Sequence, residues 1–165
     1  MTEDLIRQRI QTELTELPVQ VQEQQGGQDI VVKLNGQVVY YLEVKSRWQS
    51  GYATTLSHLQ AERASENPDC YALCCVDLTT YFPAGEAQRH VITAVEQIEN
   101  LIRFLPDIGW RVNKLTAEVR VAKNQPDMVK LAEEYRVLVP PAVVQHGVGL
   151  AEFIEQLCER IRVLA

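Results

Sequence analysis

Residues 29 to 45 read Asp-Ile-Val-Val-Lys-Leu-Asn-Gly-Gln-Val-Val-Tyr-Tyr-Leu-Glu-Val-Lys, and no other stretch constrains the fold as much. Asn35-Gly36 separates two runs rich in Val, Ile and Tyr. Both turn residues tolerate the positive φ that a tight turn demands, so the segment specifies a β-hairpin. Register then decides what the hairpin can do. A plain two-residue turn mixes apolar and charged side chains, placing Ile30, Val32 and Leu34 beside Gln37, Glu43 and Lys45. A three-residue loop with Gly36 in the left-handed position of a bulge shifts the pairing by one and turns every side chain of one strand to the other face. Ile30, Val32, Leu34, Val38, Tyr40, Leu42 and Val44 then line one apolar face, opposite Asp29, Lys33, Glu43 and Lys45. Burial favours this register, because a wholly apolar face packs on a helix without taking charge out of water.

The same register gathers Asp29, Glu43 and Lys45. Two carboxylates beside a lysine suit metal-assisted phosphodiester hydrolysis: carboxylate oxygens hold Mg²⁺, and a compact ammonium positions water or stabilises the transition state. Taken alone, Glu-x-Lys equally describes the solvated face of an ordinary amphipathic hairpin.

The surrounding chain supplies context. Ser46 to Tyr52 reads as a loop, Leu56 to Ala64 as a helix stopped at Asn67-Pro68-Asp69, and Tyr71 to Leu78 as a buried strand. Ser57, Gln60 and Ala64 share one helix face. A mixed sheet holding the hairpin and the 71–78 strand, with the 56–66 helix crossing between parallel strands, is the expected core. Before it, Leu5, Ile6, Ile10, Leu14 and Leu17 outline an amphipathic helix ended by Pro18, with Glu3 on its apolar side and Glu13 near the other border. After it, spacing predicts a helix over 86–105, a strand over 117–122, a short helix over 127–134, a strand over 135–139 and a closing helix over 149–163.

The combination Asp29…Glu43-Val44-Lys45-Ser46…Ser57-x-x-Gln60-x-x-x-Ala64…Tyr71-Ala72-Leu73 resembles the PD-(D/E)XK nuclease-like superfamily and, within it, the NO VEIN C-terminal-like domain family. The close part spans about residues 27–80. The resemblance implies an α/β fold with a restriction-endonuclease-like mixed β-sheet core flanked by helices. It implies Asp29 and Glu43 as ligands of Mg²⁺ or Mn²⁺, Lys45 as the catalytic lysine and Gln60 as the helix-borne polar residue of the site. The superfamily usually adds a glutamate from the first helix as a further metal ligand; Glu3 fits that place, with Glu13 the alternative. The implied activity is metal-dependent cleavage of nucleic acid. Some relatives have lost catalysis, so the alternative is a non-catalytic module that docks protein or nucleic-acid partners.

Composition bounds these readings. With 165 residues, 46% of them hydrophobic, and no Pro/Gly-rich linker, the chain is expected to form one domain over 1–165. No apolar run approaches the roughly 20 residues that span a bilayer, and the N-terminus is polar, so a cytoplasmic protein without membrane contact is expected. Cys70, Cys74, Cys75 and Cys158 lack C-x-x-C spacing and read as small buried residues. A net charge of −6 repels a polyanion. Nucleic acid, DNA ahead of RNA, is therefore expected to be engaged with the help of a partner protein or a second copy. Lys33, Lys45, Arg47 and Arg63 are the charges that could ring the site, with Trp48 and Tyr52 as stacking surfaces. His58, His90 and His146 share no metal-ligand spacing, no G-x-S-x-G elbow is present, and Gly147-Val-Gly149 lacks a third glycine and a P-loop lysine.

Overall fold

The computed structural model describes residues 2–24, 26–49, 53–81, 91–123 and 135–165, and its hairpin settles the register question in an unexpected way. Asn35 (φ 51°) and Gly36 (φ 80°) form a two-residue turn, so Leu34 pairs with Gln37 and Lys33 with Val38. The pairing then slips: Val32 faces Tyr40, Val31 faces Tyr41 and Ile30 faces Leu42. Val39 is the extra residue. The expected bulge exists, but it lies inside the second strand rather than in the turn, because Asn-Gly closes a two-residue turn without strain and the core demands the shifted register beyond it.

A five-stranded sheet grows from this hairpin. Its strands are β1 (Val19–Glu23), β2 (Ile30–Leu34), β3 (Gln37–Arg47), β5 (Tyr71–Asp77) and β6 (Ile102–Leu105), in the order β1-β2-β3-β5-β6. Only β3 and β5 run parallel; the other neighbours are antiparallel. The parallel pair is joined through the short strand β4 (Thr54–Leu56) and the helix α2 (His58–Glu66), as the crossover reading expects. β4 pairs with β7 (Val137–Val139) in a separate two-stranded sheet.

Helices cover both faces. On one, Ile6, Ile10 and Leu14 of α1 (Thr2–Glu13) and the turn after it meet Ile30, Val32, Tyr40, Leu42 and Val44, together with the apolar stripe of α5 (Leu150–Leu164). Phe153 anchors that stripe, stacked on Phe104 at 4.1 Å between ring centroids and edge-on to Tyr40. On the other face Tyr71, Leu73 and Cys75 pack with Ala61 and Ala64 of α2 and with Ile108 and Val112 of α3 (Ile108–Lys123). Leu56, Val137 and Val139 of the small sheet complete this layer. Adjacent Cys74 and Cys75 point to opposite layers, and all four cysteines are free thiols. Among the described residues no helix is long and apolar enough to cross a membrane.

Two sequence expectations are corrected. The 86–105 helix does not form where the chain is described: residues 95–97 and 99–101 make short 3₁₀ turns, and β6 follows. Ile102 and Phe104 enter one core and Leu105 the other, so alternation against β5 overrides the helical spacing. Residues 86–90 lie outside the described residues. The 117–122 strand is instead the continuation of α3, which starts just after Pro106 and docks on α2 through Asn113 Nδ2 to the Ser65 carbonyl (3.1 Å). The Ala, Glu and Arg of that stretch favour helix, and its brief alternation carries no sheet partner among the described residues. A short helix, α4 (Pro141–Gln145), forms at Pro140-Pro141 with proline at its first position. The 127–134 helix lies outside the described residues.

The β1–β2 connection packs on α2 most closely at Gly27. Gly27 has φ +94°, its carbonyl accepts the Tyr71 hydroxyl (2.9 Å), and a Cβ there would stand 2.8 Å from the Leu59 carbonyl oxygen. Gly27→Ala should therefore cost about 2 kcal/mol and lower Tm by about 4–8 °C, read by circular dichroism. An unchanged Tm would mean that this segment does not press on α2.

Candidate active site

Asp29 stands just before β2 and ties the open end of the hairpin. Its N–H donates to the Leu42 carbonyl (3.0 Å), and its Oδ2 accepts the Val44 N–H (2.8 Å). The shifted register places it across from Glu43. Glu43 lies in β3 between β2 and β5 and has no exposed surface. Two residues on, on the same side of the strand, Lys45 stays one-third exposed and donates its ammonium to Glu43 Oε1.

Gln60 reaches the same oxygen from α2. Ser57 caps that helix, and Gln60 is the third residue in: its N–H donates to Ser57 Oγ (3.4 Å) and its Oε1 accepts the Ser57 N–H (2.8 Å). The amide group left over, Nε2, donates to Glu43 Oε1. The second oxygen of Glu43, Oε2, is buried and finds no hydrogen-bond donor among the described residues. Burial above all, then the facing Asp29 carboxyl, pushes the Glu43 carboxyl up to about 7, although Lys45 pulls the other way.

Beside this cluster opens a cavity of about 290 Å³, lined by Asp29, Glu43 and Gln60 and by Glu3, Glu23 and Gln28 among others. Glu3, on the first turn of α1, has its carboxyl raised by burial and then by Asp29, with Lys45 opposing. Glu13 does not reach the cavity; it is exposed and paired with Arg9 at 2.9 Å. The structure thus brings Asp29, Glu43, Lys45 and Gln60 together and sets Glu3 on the rim. Among the described residues, no three Asp, Glu, His or Cys side chains already converge as a cation cage.

Other expected surroundings are placed differently. Arg47 engages Asp77, Arg63 lies over the Tyr41 ring at 5.6 Å, and Trp48 packs against the α1/α5 core. Neither Lys33 nor Lys45 is part of the cavity lining, and Tyr52 lies outside the described residues. Sequence reasoning missed Glu23 and Gln28. Both belong to β1 and its connection to β2; the alternation Val19-Gln20-Val21 and the Gly26-Gly27 pair were the available signals. The chain matches no family model, no curated protein and no solved structure in the comparisons made with them.

The raised Glu43 carboxyl predicts a pH dependence of stability. The folded chain holds this proton more tightly than the unfolded one, whose ordinary value is 4.5. The contribution is therefore complete below that value and is lost as pH rises through about 7. Without divalent metal, Glu43→Gln should be more stable than the parent at pH 8, by up to about 3 kcal/mol, and by much less at pH 4.5. Urea melts of both proteins at the two pH values check this; equal differences would show that folding does not raise the Glu43 carboxyl.

Proposed function

We propose that this protein is a metal-dependent nuclease with a restriction-endonuclease-like core of the PD-(D/E)XK nuclease-like type, acting on phosphodiester bonds in nucleic acid. The observation that carries the reading is the convergence of Asp29, Glu43, Lys45 and Gln60 from one hairpin and one helix N-terminus: Asp29, Glu43 and Gln60 line one cavity, and Lys45 joins them through Glu43. A parallel β3/β5 pair with α2 between them supports it further.

The donor set fits a hard dication. Mg²⁺ is commonly held by one or two carboxylates, with water and substrate phosphate filling the rest, and both Asp29 and Glu43 offer oxygen on one side of the hairpin. The donorless buried Oε2 of Glu43 is the point where such an ion relieves an existing cost. Glu3 and Glu23 are the further carboxylates of the cavity lining, and Glu3 is the one raised by burial and by Asp29. When bound, Mg²⁺ or Mn²⁺ supplies neutralisation of phosphate oxygens and a water of lowered pKa.

The chain's own residues do the rest. Asp29 is aimed by the Val44 N–H, and Glu43 is held by Lys45 and Gln60, so neither carboxyl needs reorganisation to act. Lys45 carries the exposed positive charge of the cluster and is the group able to meet a phosphate or the attacking water.

Net charge −6 and a cavity rimmed by Glu3 and Glu23 favour a second reading, a nuclease-like module that docks another protein. Cleavage of labelled single- and double-stranded DNA and RNA with Mg²⁺ or Mn²⁺ decides between them. Lys45→Ala should lower cleavage by about 10²-fold or more. The fold should survive, since Glu43 can take up a proton in place of its lost partner. Glu3→Ala should impair cleavage where Glu13→Ala does not. If no substrate is cut, and binding to nucleic acid or protein is the same with and without Lys45, the docking module replaces the nuclease.

A further inference from the structure

Gln60 carries two jobs on one side chain. Its carbonyl oxygen closes the capping box of α2 with the Ser57 N–H (2.8 Å), while its amide group donates to Glu43 Oε1. A glutamine amide has only one oxygen and one NH₂ group, and the cap fixes which end faces which partner: the helix takes the acceptor, leaving only the donor for the carboxylate. Lys45 donates to the same oxygen. Oε1 thus accepts twice, whereas Oε2 accepts from no donor among the described residues and has the Asp29 carboxyl as its charged neighbour, although both oxygens belong to a side chain with no exposed surface.

We infer that Gln60 is a positioning residue for the cation: locked by the α2 cap, it holds Glu43 in the rotamer that keeps Oε2 free to take a divalent ion, and it does not itself meet substrate. The inference rests on the metal-dependent reading above and adds to it a division of labour. Gln60 sets metal affinity, and Lys45 acts on the reacting phosphate. The physical basis is general. A ligand oriented by a neighbouring hydrogen bond binds its metal about 10- to 100-fold more tightly than the same ligand left loose.

The test uses Mn²⁺ alone, titrated calorimetrically into the parent, Gln60→Met, Gln60→Ala and Ser57→Ala. Gln60→Met keeps side-chain length and helix propensity but removes both amide functions, so it guards against a folding defect in the alanine variant. Ser57→Ala removes the Oγ that accepts the Gln60 N–H but keeps the backbone N–H that holds Gln60 Oε1, so it weakens the helix start and leaves the lock on the Gln60 side chain in place. The expected result is Mn²⁺ affinity reduced about 10- to 100-fold in both Gln60 variants. Ser57→Ala should bind Mn²⁺ within a few-fold of the parent while melting at a lower temperature. In cleavage assays, the loss in Gln60→Met should be restored by raising Mn²⁺, whereas the loss in Lys45→Ala should not. If the parent binds Mn²⁺ and a folded Gln60 variant binds it equally well, the positioning role is overturned and the nuclease reading stands. If the parent binds no Mn²⁺, the nuclease reading itself falls and takes the inference with it.

Discussion

One unfavourable placement organises this molecule: an ionisable carboxyl, Glu43, set without exposed surface in the middle strand of the sheet. Moving a carboxylate out of water costs several kcal/mol even after relaxation, so the surroundings must offset it. Strand periodicity supplies the first compensation, since Lys45 emerges on the same face two residues later. The capped end of α2 supplies the second through Gln60. Proton uptake supplies the third, with the carboxyl pushed up to about 7. Breaking a fully buried pair costs about 3–5 kcal/mol, but Lys45 is one-third exposed, so that range is an upper bound here. A chain selected for stability alone would do as well with an apolar residue at this position. An acid here, with one oxygen that accepts from no donor among the described residues, is what the nuclease reading calls for.

Whether Glu43 faces the site at all depends on one residue of register. Side chains alternate along a strand, so a one-residue slip exchanges the two faces. The Asn35-Gly36 turn imposes one pairing on Leu34 and Gln37, and the core imposes another on Ile30 and Leu42. Were the turn's pairing continued, Tyr40, Leu42 and Val44 would leave the α1/α5 core and Glu43 and Lys45 would enter it. Val39 absorbs the conflict. By doing so it also brings Asp29 opposite Glu43, where the Val44 N–H fixes its carboxyl.

This part of the structure was legible because it is local and doubly determined: turn chemistry and amphipathic pattern each demand the hairpin, and only one register satisfies burial. The β3/β5 pairing was legible for a similar reason, since a polar loop, a helix and an apolar run in succession leave few alternatives to a parallel crossover. The bulge position was not, because turn and core preferences differ by one residue and the sequence does not say where the slip occurs. Residues 91–105 misled because Val91, Ile92, Val95 and Ile98 match helical spacing, yet Ile102 to Leu105 feed both layers at an edge of the sheet next to β5. The capping role of Gln60 was half visible: Ser57-x-x-Gln60 is a helix-start pattern, but that its spare amide reaches Glu43 is a tertiary fact. Glu23 and Gln28 join the cavity only because β1 pairs with β2, a contact that follows from the completed sheet.

Electrostatics ties the cavity to its substrate on the nuclease reading. Glu3, Glu23, Asp29 and Glu43 line the cavity, and its lining among the described residues holds neither lysine nor arginine. Several basic side chains elsewhere are engaged by acids: Arg7 by Asp4 and Glu23, Arg9 by Glu13 and Glu96, Arg47 by Asp77 and Arg111 by Asp107. Such pairs add little stability, but they leave less positive charge for a phosphate backbone. A dication on Asp29 and Glu43 reverses the local field, so metal and substrate each strengthen the other's binding by the same factor. That coupling makes the acidic lining useful: without metal the cavity repels nucleic acid, and with metal it attracts only at the point of reaction. On that reading, the remaining attraction for a phosphate backbone would have to come from cations outside this acidic lining.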